Sequence, residues 1–101
     1  MNGDPVTWLV QEVRDLLDVS PVGLYEFLWL LRGGYPDLDD GQLRRHAQAA
    51  LTRLVAGEDV CLARLDWPDN QHHGDLDPGE LTDEAWTEPR HDQTYIALLP
   101  R

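Results

Sequence analysis

One segment of the chain is apolar on nearly every side of the helix that it predicts, and this feature constrains the fold most. Over 24–31 only Glu26 carries a charge. A helix of this kind is shielded from water only at the centre of a domain, with other elements around it. Ser20 and Pro21 suit an N-cap and a first turn, and two glycines end the pattern. We predict a central helix over 21–32.

Two further helices flank the central one in sequence. The first is predicted over 5–18, because Asp4 is a good N-cap, a proline fits the first turn and apolar residues recur at helical spacing. The second is predicted over 40–57, because Asp39 and Gln42 have the spacing of a capping box and a glycine ends the apolar stripe.

The remainder of the chain predicts a small sheet. The segments 60–67 and 93–99 are typical of strands, and we expect them to pair antiparallel. The connection between them, 68–92, is longer than most loops of a compact domain, and a short helix is predicted within it over 78–86. The predicted fold class is α+β, mainly α with a small two-stranded β-hairpin, in a single domain over 1–101.

Length and composition favour an ordinary globular protein. The chain has 101 residues, of which 42% are hydrophobic and 27% charged, and such values are typical of a folded domain. It contains one cysteine, so no internal disulfide is expected, and no segment is long and apolar enough to cross a membrane. Because no signal-peptide pattern is evident, we expect a cytoplasmic protein.

The negative charge of the chain is distributed unevenly. The formal net charge is -11, and over 66–92 nine acidic residues are accompanied by one arginine. Over 19–57, by contrast, four arginines balance four acidic residues. A concentrated negative charge disfavours binding to nucleic acid phosphates and anionic membranes, but it suits a basic protein partner. We call the segment 68–92 the acidic connection.

The order of the predicted elements resembles the winged helix-turn-helix superfamily. The helix-turn-helix would span 21–57, with its turn at 33–36 and the helix 40–57 in the recognition position, and the acidic connection would replace the wing. The segments 23–29 and 35–40 also resemble small uncharacterised proteins of high-GC bacteria. In DNA-binding winged-helix proteins the recognition helix enters the major groove and basic wing residues contact the backbone. The residues that this resemblance assigns to DNA are Arg44, Arg45, Gln48, Thr52 and Arg53.

The negative charge of the acidic connection favours a protein partner over DNA. An acidic wing would meet phosphates with like charge, which costs energy and slows encounter. We therefore predict a non-enzymatic module that engages a basic partner protein, in the manner of an immunity or antitoxin-like protein, with a DNA-binding regulator as the alternative. A tryptophan in the connection could equally pin it to the core. The predicted partner contacts are Asp75, Asp77, Glu80, Asp83, Glu84 and Trp86.

Histidines and acids of the connection could supply metal ligands, but their spacing matches no closed site. The candidates are His72, His73, Asp75, Asp77, His91 and Asp92. Adjacent side chains point in different directions and rarely share one ion. The stretch 69–80 has part of the EF-hand spacing, but glutamine and histidine occupy two of its ligand positions. Ser20 suits a helix cap and Cys61 a strand, so no nucleophile is evident. We expect no metal, no cofactor and no enzymatic activity.

Overall fold

The computed structural model describes residues 4–57, 60–66, 71–81, 83–86 and 94–100, with the backbone alone at 78, 83 and 84. Within these ranges the protein is an α+β fold of three helices and a four-stranded antiparallel sheet. The helices are α1 (Pro5–Leu17), α2 (Leu24–Gly34) and α3 (Asp40–Ala56). The strands are β1 (Val22–Gly23), β2 (Val60–Asp66), β3 (His72–Leu76) and β4 (Thr94–Pro100). Two 3-10 turns span Pro78–Glu80 and Asp83–Trp86.

Local capping signals position α1 and α3, and the predictions for both helices are confirmed. The Asp4 carboxylate accepts a hydrogen bond from the Thr7 backbone N–H at 2.9 Å. The Asp39 carboxylate accepts from the Gln42 N–H at 2.8 Å, and the Asp39 N–H donates to the Gln42 side chain at 3.0 Å. Both helices thus begin where a side-chain oxygen satisfies a backbone donor that has no partner within the helix.

The predicted start of α2 at residue 21 is wrong. Val22 and Gly23 form β1, which pairs with the middle of β4. Ser20 does not cap the helix, and its hydroxyl instead donates to the carbonyl of Pro21 at 3.4 Å. The Gly23 N–H donates to the Glu26 carboxylate at 2.6 Å, so the acid in the first turn completes the cap. Sheet pairing therefore overrides the serine–proline signal and shortens the helix.

The sheet has the strand order β1-β4-β2-β3, so the prediction of a two-stranded hairpin is wrong in strand number. The expected antiparallel pairing of β2 with β4 is confirmed, with Leu62 opposite Leu98. The additional strand β3 lies inside the acidic connection and pairs with the other edge of β2, with Leu76 also opposite Leu62. The connection is thus ordered strand and turn in its described parts. Residue 67 and residue 93, the predicted end of one strand and start of the other, lie outside those parts.

The helix predicted over 78–86 is replaced by the two 3-10 turns. Gly79 lowers helix propensity at the start of this segment. The second turn brings Ala85 and Trp86 into the core, where they are 7% and 5% exposed.

Both faces of the two central strands bury apolar side chains. Val60, Leu62 and Leu98 face the helices and join the main core with Phe27 and Leu31 of α2. The alternate residues of the strands, which point to the opposite face, form a second cluster with one side chain of α2. Its members are Tyr25, Ala63, Leu65, Tyr95 and Ala97. The strands β2 and β4 therefore contribute apolar side chains to both clusters.

Candidate functional site

A groove between the C-terminal part of α3 and the strands β2 and β3 brings together three of the predicted partner contacts. Its volume is about 510 Å³. Asp75, Asp77 and Glu80 line this groove and are exposed. The remaining lining is mostly apolar and comprises Thr52, Val55, Ala56, Val60, Cys61, Leu62 and Leu76. We call it the acidic groove.

The pairing of β3 with β2 places these carboxylates. Leu76 lies opposite Leu62 and packs against the core. Because side chains alternate along an extended chain, Asp75 and Asp77 on either side of Leu76 point away from the core. The following 3-10 turn returns Glu80 towards them, with its N–H donating to the Asp77 carbonyl at 2.9 Å. Carboxylates beside an apolar lining favour a ligand that carries a cation on an aliphatic stem.

Among the other predicted partner contacts, Trp86 does not line this groove. Trp86 is buried, with its ring centroid 5.9 Å from that of Phe27 in an edge-to-face arrangement, so its assignment to the partner surface is wrong. The position of Trp86 in the core agrees with the alternative, in which a tryptophan attaches the connection to the core. Asp83 and Glu84 lie on the second 3-10 turn, and their side chains fall outside the described part of the structure.

The residues that the resemblance assigned to DNA are divided between two sides of α3. The Arg44 guanidinium carbon lies 5.9 Å from the centroid of the Trp86 ring. Arg53 donates from Nη1 to the Thr7 hydroxyl at 3.1 Å, which ties it to α1. Positions 44 and 53 are about two and a half helical turns apart and therefore point to opposite sides. Arg44 and Arg53 of the expected reading face thus each contact another side chain of the same chain.

The other three residues of the expected reading face, Arg45, Gln48 and Thr52, are exposed. The Thr52 hydroxyl donates to the Gln48 carbonyl at 3.0 Å, and Thr52 also lines the acidic groove.

The candidate metal ligands are paired separately. The His72 Nε2 atom lies 3.0 Å from the Asp75 carboxylate, and the His73 Nε2 atom lies 2.6 Å from the Asp66 carboxylate. Among the residues that the structure describes, no three histidine, cysteine or acidic side chains come together as metal ligands would. His91 and Asp92 fall outside those residues. The EF-hand spacing is also not matched by an EF-hand loop, since 72–76 is a strand.

A second groove lies between α1 and α2 and was not predicted. Its volume is about 390 Å³. Residues four apart on a helix share a face, so Trp8, Glu12 and Leu16 of α1 face the groove together. From α2 the lining residues are Glu26, Trp29, Leu30, Gly33 and Gly34. We call it the tryptophan groove.

Both indoles of the tryptophan groove are held by other aromatic rings. Trp8 makes an edge-to-face contact with Tyr35, with ring centroids 5.4 Å apart. Trp29, although 49% exposed, makes the same kind of contact with Tyr25 at 5.0 Å. Tyr25 in turn contacts Tyr95 at 5.9 Å. The exposed ring of Trp29 is therefore oriented by a buried tyrosine.

One ionisable group behind this aromatic chain is perturbed. Burial raises the pKa of the Tyr95 phenol above its usual range, and the Glu26 carboxylate raises it further. Glu26 thus acts in three ways: it lines the tryptophan groove, caps α2 and opposes ionisation of Tyr95.

Comparison with known proteins adds no identity to this geometry. No family model, no curated protein and no solved structure matches the chain. In the described part of the chain, none of the helices combines the length and the apolarity needed to cross a membrane. The two grooves are therefore the features on which a function can be argued.

Proposed function

We propose that this protein is a non-enzymatic binding module that holds a basic segment of a partner protein in the acidic groove. The observation that carries the proposal is the convergence of Asp75, Asp77 and Glu80 on one groove with an apolar lining. Arginine and lysine match such a surface, because the aliphatic stem packs on the lining while the charged group meets the carboxylates.

The charge of the whole protein supports the same partner. With a net charge of -11, the protein attracts basic proteins over several ångströms and accelerates encounter with them at low salt. The groove then supplies the short-range contacts that a diffuse field lacks. Binding by this mechanism weakens as ionic strength rises.

The scaffold of this module is proposed to be a winged helix. The helices α2 and α3 are separated by the short segment 35–39, and β2 and β4 pair after α3 with β3 inserted between them in sequence. In this arrangement β3 and the acidic groove occupy the part of the chain that corresponds to the wing. The proposal thus assigns partner binding to the wing region and not to α3.

A specific form of the proposal is an inhibitor that covers the basic substrate groove of a nuclease. Co-purification from the native host tests this form directly. A nuclease retained by the native protein at low salt, and lost from an Asp77→Asn/Glu80→Gln variant, supports it. Retention of the same nuclease by that variant contradicts it.

The binding mode is tested with a short peptide that alternates arginine and leucine. We expect the methyl NMR signals of Val55 and Leu76 to shift on titration. The variant Asp77→Asn/Glu80→Gln is expected to bind about tenfold more weakly, since two charge-assisted contacts contribute about 1–2 kcal/mol together. The control variant Asp18→Asn/Asp37→Asn removes the same charge outside the groove. Equal weakening in both variants would show attraction by net charge alone and would reject the groove.

A DNA-binding regulator is the alternative, and one observation favours it: Arg45 and Gln48 are exposed on α3, and these residue types read base edges. The engagement of Arg44 by Trp86 and of Arg53 by Thr7 weakens it. Electrophoretic shift of genomic fragments at low salt, abolished by Arg45→Ala, would establish this alternative in place of the protein partner.

A further inference from the structure

We propose that the tryptophan groove is a second docking site, which receives the guanidinium of an arginine side chain from a partner protein. This inference does not use the acidic groove, and the two grooves share no lining residue. Each can therefore be tested while the other is intact.

The tryptophan groove combines aromatic and acidic side chains. Trp8 and Trp29 line it together with Glu12 and Glu26. The face of an indole attracts a cation, and tryptophan does so better than the other aromatic residues. The carboxylates beside the indoles are negatively charged, so they also attract a cation. An apolar ligand would gain nothing from the two glutamates, so the groove selects a cation.

Among cations, a guanidinium matches this combination of side chains best. A guanidinium is planar, so it stacks on an indole while its N–H groups donate to carboxylates at its edge. A quaternary ammonium also binds aromatic rings but has no N–H to donate, so it would form no hydrogen bond with either glutamate. The presence of acids as well as indoles therefore favours arginine.

Contacts within the protein hold the side chains of the groove in place without a ligand. Tyr35 holds Trp8, and Tyr25 holds Trp29, each by an edge-to-face contact. Glu26 is fixed by its hydrogen bond from the Gly23 N–H. Preformed sites lose less conformational entropy on binding. A volume of about 390 Å³ is at the small end of ligand sites and suits an inserted side chain.

A second copy of the chain is a poorer occupant. Each copy carries a net charge of -11, and a symmetric contact would bring the same two glutamates from both copies to one interface. Like charges of this kind oppose association. This repulsion favours a basic partner protein over a second copy as the source of the arginine.

The test uses a leucine-rich peptide with one central arginine and a matched peptide in which citrulline, a neutral isostere, replaces it. Binding is followed by the NMR signals of the indole N–H groups. The protein contains four tryptophans, and the variants Trp8→Phe and Trp29→Phe assign the signals of two of them. The arginine peptide is expected to shift the signals of Trp8 and Trp29 and to bind roughly tenfold more tightly than the citrulline peptide. Equal binding of the two peptides would overturn the proposal, as would fixed signals for both tryptophans.

Variants of the groove sharpen the result. Gly33 lines the groove, and an ideal Cβ there meets no atom within 4 Å. We therefore expect the fold to accept Gly33→Leu and its side chain to occupy the groove, whereas the single methyl group of Gly33→Ala leaves the groove open. We expect the first to abolish binding and the second to preserve it. Glu12→Gln/Glu26→Gln is expected to weaken binding about tenfold, because glutamine keeps the α2 cap but not the charge.

The same variants separate this site from the acidic groove and from self-association. The Asp77→Asn/Glu80→Gln variant is expected to bind the single-arginine peptide as the native protein does. If that variant weakens binding and Gly33→Leu does not, the arginine binds in the acidic groove and the tryptophan groove is rejected. A concentration-dependent dimer in sedimentation analysis that Gly33→Leu abolishes would show a second copy as the occupant and would also reject the proposal.

Discussion

The Trp8 indole packs directly against the backbone of Gly34, where an ideal Cβ would lie 2.6 Å from the Cη2 atom of Trp8. Real Cβ atoms do not approach another atom so closely, and the indole is a rigid neighbour already held by Tyr35. Gly34 is therefore required for close approach of α1 and α2. The preceding Gly33 meets no such restriction, so the two glycines differ in role although they are adjacent.

This contrast predicts opposite effects of the same substitution. Gly34→Ala is expected to destabilise the protein by about 1–3 kcal/mol, the usual cost of forcing extra volume into a packed contact. Gly33→Ala is expected to be neutral or to stabilise by up to about 1 kcal/mol, because alanine is the better helix former. Urea denaturation followed by circular dichroism measures both. If the two variants were equally stable, the contact between Trp8 and the α2 backbone would not limit this interface.

Trp86 is predicted to act as a core residue. Trp86→Ala is expected to cost about 3–5 kcal/mol, the range for loss of a buried large aromatic side chain. Trp29→Ala is the matched control, and it should cost clearly less because half of that side chain is exposed. Trp86→Phe retains part of the contact with Phe27 and gives an intermediate loss if the alanine variant does not fold. A Trp86→Ala protein as stable as the native one would contradict a core role for Trp86.

Local signals predicted two helices well, and nonlocal pairing explains the errors elsewhere. The caps at Asp4 and Asp39 lie next to the helices that they begin, so the sequence alone places α1 and α3. The start of α2 depends on pairing of Val22 with a strand more than seventy residues later. Likewise β3 exists because β2 offers a second edge, and nothing within 72–76 indicates that partner.

The same distinction applies to the grooves. The acids of the acidic groove were predictable from the concentration of charge, but their apolar lining depends on how α3 packs beside β2. In the tryptophan groove, the spacing of Trp8 and Glu12 on α1 and of Glu26 and Trp29 on α2 shows which residues share a helix face. The sequence does not show that these two faces meet, because helix pairing is a property of the whole core.

Alkaline pH is predicted to destabilise the protein through Tyr95. Because burial and Glu26 raise the pKa of its phenol, the folded protein holds this proton more tightly than the unfolded chain does. The stabilisation is complete below the unfolded-state pKa of about 10 and is lost as the pH rises from there through the folded-state pKa. The urea stability of the native protein should therefore fall over this range. In Tyr95→Phe the fall in stability should be smaller. An absorbance titration of tyrosine ionisation should lack the phenol that ionises above the usual tyrosine pKa in the native protein. An unchanged alkaline slope in Tyr95→Phe would contradict this origin.

Arg53 and Arg45 of α3 are predicted to differ in their effect on stability, and this difference distinguishes a structural role from a role in DNA binding. Arg53 bonds to the Thr7 hydroxyl, so Arg53→Ala should lower stability by about 0.5–1.5 kcal/mol, the net value of one hydrogen bond. Thr7→Val should lower it at least as much, because the Thr7 hydroxyl also donates to the Asp4 carboxylate at 3.3 Å. The double variant should lose little more than Thr7→Val alone, since that variant already removes the contact with Arg53. Arg45 is exposed, and Arg45→Ala should leave stability within about 0.5 kcal/mol of native. If Arg53 instead proved neutral for stability while both arginines were required for a DNA shift, α3 would be a reading helix and the proposed protein partner would be wrong.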